Sequence, residues 1–148
     1  MYLIVTEDAE LLRLAQERGA SIFESNQNIF APIPAEVVSE RQIAEVLGNL
    51  AILPNYSGYR YIEYILKKCI ADPNYHREKM TEVIYPECAA AFGTTNGGIE
   101  RGIRHAIERG FAKVPENYNK YFKLELQKAP INSRFISTLS EFFRISCR

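Results

Sequence analysis

The stretch Tyr85 to Phe111, YPECAAAFGTTNGGIERGIRHAIERGF, constrains this chain more than any other. It reads as helix, tight turn, helix. Pro86 suits the first turn of a helix, where its missing N–H has no intrahelical partner to lose. Ala89, Ala90, Ala91 and Phe92 continue that helix, and Gly93 stops it at the left-handed cap position. Thr94 and Thr95 offer a hydroxyl N-cap to the helix that follows. There Ile99, Ile103, Ala106, Ile107 and Phe111 recur at spacings of three and four and share one face. Arg101, Arg104, His105 and Glu108 fall on another. A small Ala89 lets the two helices approach, Gly93 permits the turn, and Ile99 packs the second helix back on the first. Two short helices joined by a short turn containing glycine make a helix-turn-helix, whose second helix can enter the DNA major groove. The same residues also fit an ordinary αα-hairpin with a solvated basic face.

The run TTNGGIERGIRHAIE, Thr94 to Glu108, closely resembles the recognition-helix region of the sporulation master response regulator family, stage zero sporulation protein A. The similarity extends from about Ile52 to Ile145. SGYRYIEYIL (Ser57 to Leu66) resembles the family's first effector-domain helix. MTEVIYPECAAAFGTT (Met80 to Thr95) resembles the helices before the recognition helix, and NSRFISTLSEFF (Asn132 to Phe143) the last one. The resemblance implies an all-helical, DNA-binding effector that activates and represses genes at spore onset. It implies DNA contact through Glu100, Arg101, Arg104 and His105. Gly97 and Gly98 stand where the family carries a serine and a DNA-contacting arginine, and Gly102 replaces a usual alanine. These departures bear on the target sequence, not on the fold. In the family, the region after the recognition helix bears on contact with the sigma subunit of RNA polymerase. Between Val114 and Lys128 the match is weak, so the sigma subunit is kept only as an open partner.

A length of 148 residues suggests one domain, or one domain with a small appendage. With 47% hydrophobic residues the chain can bury a sizeable core, and no apolar run is long enough to span a membrane. Neither a signal peptide nor a paired or metal-like cysteine spacing is visible, which points to the cytoplasm. Charge divides the chain. Residues 1–50 hold 3 basic and 8 acidic side chains, and residues 51–148 hold 15 and 10. The basic part contains the helix-turn-helix, as expected of a DNA-binding module.

Residues 1–50 read as a short α/β segment and residues 51–148 as the helical effector domain. Tyr2 to Thr6 and Ala20 to Glu24 are β-prone runs on either side of a helix capped by Asp8, a small β-α-β unit. Set beside the family, this segment is at most a remnant of the receiver domain. Asp8 and Asp72 are the only aspartates, with no suitable phosphoacceptor, so control by receiver phosphorylation is not expected. Ser39-Glu40-Arg41-Gln42 reads as a capping box for a helix ending at Gly48. Ser57 is expected to cap the next helix, Arg77 to Ile84 to form a short one, and Asn132 to cap the last, with Phe135, Ile136, Leu139, Phe142 and Phe143 on its inner face. The expected fold is mainly α, a helical bundle containing a helix-turn-helix after a small N-terminal β-α-β segment.

Catalytic patterns are lacking, and no metal or cofactor site is expected. The reading is a sequence-specific regulator of transcription that binds double-stranded DNA, with helix 96–111 in the major groove. Arg101 and Arg104 would read bases, Glu100 would accept from a cytosine or orient Arg104, and His105 would meet a base edge or phosphate. Thr94 and Thr95 would hold phosphate. A homodimer through the acidic N-terminal segment is a further partner. The rival reading is a protein-interaction module that dimerises with, or antagonises, a full-length regulator without strong DNA binding.

Overall fold

The computed structural model describes residues 35–72 and 74–146, together with residues 10, 13, 14 and 17. The chain divides into two compact units, Met1–Ile33 and Pro34–Arg148. In the first, the four described residues are helical, and an exposed Arg13–Glu17 pair lies at 3.9 Å. The two β-prone runs and Asp8 lie outside the described residues.

The second unit is helical, with no strand among the described residues. Helix α1 is Ala35–Asn49 and α2 is Ser57–Ala71. A 3-10 turn, Tyr75–Arg77, and a π-turn, Met80–Ile84, lead into α3, Tyr85–Phe92. Then come α4 (Asn96–Lys113), α5 (Pro115–Phe122) and α6 (Asn132–Ser146). The core is the apolar stripe of each helix turned inward. Ile43 and Leu47 of α1, Ile62, Ile65 and Leu66 of α2, Ile99, Ile103 and Ile107 of α4, and Phe135, Ile136 and Leu139 of α6 are all fully buried. Helix α2 lies at the centre, against α1, α4 and α6.

Helix boundaries depart from the sequence reading at several points. Helix α1 opens at Ala35, before the expected capping box, because Ala35 and Glu36 are good helix formers and need no hydroxyl cap to continue. It also runs past Gly48. The left-handed residue that ends it is Ala51 (φ 55°), after which Ile52 N–H bonds to Leu47 O at 2.9 Å and both Leu50 and Ile52 are buried. Ser57 is the first helical residue of α2 rather than its cap. Tyr56 holds the extended cap conformation, and no side chain caps this end. The span Arg77 to Ile84 is not one α-helix. The 3-10 turn closes at Arg77, and the π-turn lets Ile84 reach the core while Met80 and Val83 stay half-buried. Asn132 is helical and buried, its amide taken by two partners described below.

One close approach sets how α4 sits. A Cβ added to Gly58 of α2 would lie 2.2 Å from the Gly102 carbonyl oxygen and 2.8 Å from the Ala106 Cβ. Only a residue without a side chain lets the two backbones meet there. On α4 itself, the Tyr61 ring occupies the space a Gly102 side chain would need, its Cε2 2.8 Å from the added Cβ. Gly102 thus serves helix packing. Farther along, Tyr118 is buried, and its hydroxyl lies 3.1 Å from Leu50 O and 3.3 Å from Ile107 O. Its single hydrogen serves one carbonyl at a time. The residue ties α5 to α4 and to the end of α1.

Candidate nucleic-acid interface

Helices α3 and α4 are joined by Gly93, Thr94 and Thr95. Gly93 is left-handed (φ 64°, ψ 38°), and both its own N–H and that of Thr94 bond to Ala89 O, the latter at 3.0 Å. Glycine reaches this conformation without the Cβ penalty that other residues carry. Ala89 and Ile99 are buried on either side of the turn, the packing expected from their spacing. Pro86 sits in the first turn of α3.

Thr95 is the N-cap of α4, and its Oγ1 accepts from Gly98 N–H at 3.0 Å. Thr94 is half-buried. A Cβ at Gly98 would meet Thr94 Oγ1 at 2.7 Å, so the absence of a side chain at 98 leaves the room that hydroxyl fills. Gly97 has nothing within 4 Å of an added Cβ and faces open space.

Beyond this first turn, Arg101, Arg104, His105 and Glu108 are all exposed, on the side of α4 turned away from Ile99, Ile103, Ala106 and Ile107. Glu100 is half-buried, and its Oε1 accepts from Arg104 Nη1 at 2.6 Å. At 45% and 44% side-chain exposure, such a pair adds only a few tenths of a kcal/mol to stability, about 0.3–0.5 for this spacing. It fixes the guanidinium while leaving most of its five N–H donors free. Arg101 carries its donors into solvent with no carboxylate in ion-pair range among the described residues.

Two features of this surface are not evident from helical periodicity. Asn132, at the start of α6, donates its amide N–H groups to Tyr85 Oη at 3.0 Å and to the Glu100 carbonyl at 3.0 Å. It pins α3, α4 and α6 together one residue before Arg101. Burial pushes the Tyr85 hydroxyl pKa up, against the hydrogen bond from Asn132, which keeps Tyr85 a neutral partner. Nothing in the local sequence separates this role from that of a helix cap, since asparagine suits both. The second feature is Tyr56, which stands beside Arg109 and Lys113 on the other edge of α4. The i, i+4 spacing of those two cations was the available signal, and their aromatic partner lies far off in sequence.

The arrangement offers a convex helix face with positively charged forks and a backbone-anchored first turn. That chemistry suits recognition of base edges and phosphates. No helix among the described residues is long and apolar enough to cross a membrane. Residues 43–143 match the family described as Sporulation initiation factor Spo0A C terminal, a span that starts inside α1 and ends within α6.

Proposed function

The chain belongs to the Spo0A C-terminal family, the DNA-binding effector domains of response regulators that control sporulation transcription, and on that premise we propose that it is a sequence-specific regulator whose helix α4 reads the major groove. The observation that carries this is the exposed Arg101, Arg104 and His105 face, aligned on a helix whose opposite side is locked in the core. In this reading α3, the turn and α4 act as a helix-turn-helix.

Each residue has a role. Arg101 and Arg104 donate in pairs to guanine O6 and N7. Glu100, already bonded to Arg104, orients that guanidinium or accepts from a cytosine amino group. His105 meets a base edge or phosphate. Thr94 and Thr95 set the register against the phosphate backbone, Thr95 through the first turn it caps. Gly97 and Gly98, where the resemblance implies a serine and a DNA-contacting arginine, leave the target sequence open near the start of α4. Control does not pass through an aspartyl phosphate on this chain. Asp72 is engaged in a turn, its Oδ1 accepting from Asn74 N–H at 3.0 Å. A second copy of the chain, and the sigma subunit of RNA polymerase, are further partners under the same reading, all in the cytoplasm where the DNA is.

Selection from a random-sequence duplex pool, followed by gel shift, tests the core of the proposal. Wild type should enrich one motif. Arg101→Ala or Arg104→Ala should each relax preference at one position, a loss of about 1–3 kcal/mol of discrimination. Equal losses on the selected and a scrambled duplex would refute base readout by these arginines. If wild type binds no duplex, a module that pairs with a full-length regulator becomes the better account, and co-sedimentation with such a regulator would show it.

A further inference from the structure

The C-terminal half of α4 carries a second pair of cations, Arg109 and Lys113. Four residues apart, they lie along one edge of the helix. Both are exposed and both turn to Tyr56, the residue before α2. The Arg109 guanidinium lies 5.4 Å from the centre of the Tyr56 ring, and Lys113 Nζ lies 5.8 Å from it. Lys113 Nζ also donates to Tyr56 Oη at 3.2 Å. That hydrogen bond, with the charges of Lys113 and Arg109, lowers the pKa of the tyrosine hydroxyl.

What distinguishes this pair is that one tyrosine holds both cations and, among the described residues, no acid neutralises either. Arg104 is paired with Glu100, Lys67 with Glu40 and Glu63, Lys68 with Glu87, and Arg144 with Glu141. Among the described residues, neither Arg109 nor Lys113 has a carboxylate within ion-pair distance. The ring restrains the Arg109 guanidinium, and the hydroxyl restrains Lys113, without cancelling either charge. The hydroxyl takes one of the three lysine N–H donors, and the guanidinium, with five, has donors to spare. Two cations are thus held in place with their charge available.

Position argues for the ligand. Arg109 lies eight residues beyond Arg101, about 12 Å along the axis and about 80° round it, toward α2. The major groove is about 12 Å wide. With Arg101 at the bases, Arg109 and then Lys113 come out against the phosphate wall. We propose that Tyr56, Arg109 and Lys113 form a clamp on the DNA backbone at one wall of the groove that α4 reads. The clamp rests on the DNA-binding reading above.

The test uses fluorescence anisotropy at several salt concentrations, on the full chain. The probes are the duplex that wild type enriches from a random pool and a scrambled duplex of equal length. Each phosphate contact contributes about 0.9 to the slope of log affinity against log salt. The variant Arg109→Gln/Lys113→Gln should lose affinity by the same factor on both duplexes, with a slope shallower by about 1.8. Arg109→Lys/Lys113→Arg, which keeps both charges, should restore the wild-type slope. Tyr56→Leu should weaken both complexes with the slope unchanged, because no charge is removed. Thermal melts run alongside show that each variant is folded. A wild-type slope in the Gln/Gln variant overturns the clamp and leaves base reading by α4 standing. A loss confined to the selected duplex overturns it too, since backbone contacts carry no sequence information. If wild type binds neither duplex, the clamp falls together with the reading on which it rests.

Discussion

Substituting Gly58 by alanine should destabilise the fold by about 1.5 kcal/mol. The added Cβ would lie 2.2 Å from the Gly102 carbonyl oxygen, where even close C···O contacts in proteins are about 3.3 Å or longer. Helices α2 and α4 must therefore separate by about 1 Å at this point. Nothing local can yield instead, for the obstacle is backbone in the middle of α4, with Ala106 Cβ behind it at 2.8 Å. The separation opens the contact between Ile62 and Ile65 on one helix and Ile99 and Ile103 on the other, all fully buried. A gap of 0.5–1 Å forfeits roughly a quarter to a half of each dispersion contact it opens. Overpacking of this kind typically costs about 1–3 kcal/mol. Opposing it is the helix propensity of alanine over glycine, up to about 1 kcal/mol in a helix interior and less in a first turn. The balance is a loss of about 1.5 kcal/mol, or about 6 °C in melting midpoint for a unit of this size. Gly48→Ala is the control. An added Cβ there meets nothing within 4 Å, so propensity acts alone and the variant should gain about 0.5–1 kcal/mol. Urea and thermal melts followed by circular dichroism measure both. A Gly58→Ala variant at least as stable as wild type would refute the close crossing of α2 and α4.

Three further outcomes are expected. Asn132→Ala removes the donor to Tyr85 Oη and to the Glu100 carbonyl and should cost about 1–3 kcal/mol in urea melts, while Asn132→Asp, which cannot donate to that carbonyl when ionised, should not restore it. Burial raises the thiol pKa of Cys69 from 9.0 to about 11, despite a lowering hydrogen bond with Ser140, and that of Cys88 from 9.0 to about 12. The fold therefore favours the protonated thiols, so their contribution to stability is complete below about pH 9 and is lost as pH rises through about 11 and 12. Urea midpoints of wild type should fall more steeply over that range than those of Cys69→Ala/Cys88→Ala. In a Cys147→Ser background, the two remaining thiols should resist a disulfide reagent at pH 8 until urea is added; rapid modification of the native chain would contradict their burial.

Much of the effector unit is legible from periodicity. The apolar stripes of α4 and α6 fall where spacings of three and four place them, because a helix that buries one face must repeat apolar residues at its own pitch. The turn between α3 and α4 is legible for a different reason: Gly93 and Thr95 supply backbone geometry and a hydrogen bond that few other residues can. The Glu100–Arg104 pair also follows from spacing alone. Helix ends are read less well. Ser39, Ser57 and Asn132 have the chemistry of caps, yet each lies within a helix in the structure. A short polar side chain is compatible with capping, with solvent and with a long-range bond, and only the neighbours it meets decide among them.

The sequence by itself therefore determined the helical class, the buried faces of α4 and α6, the shape of the α3–α4 turn and the residues that α4 turns to solvent. Those are local properties, set by side-chain spacing and by the conformations a residue can reach. Tertiary structure alone decided that α1 shares the core with α2, that Gly58 and Gly102 mark a backbone contact, and that Asn132 bonds to Glu100 across 32 positions. It also brought Tyr56 to Lys113 across 57. Such contacts join residues far apart in the chain, and no local spacing encodes them. They form only when the stripes pack, and the helices that meet are then selected by which surfaces fit.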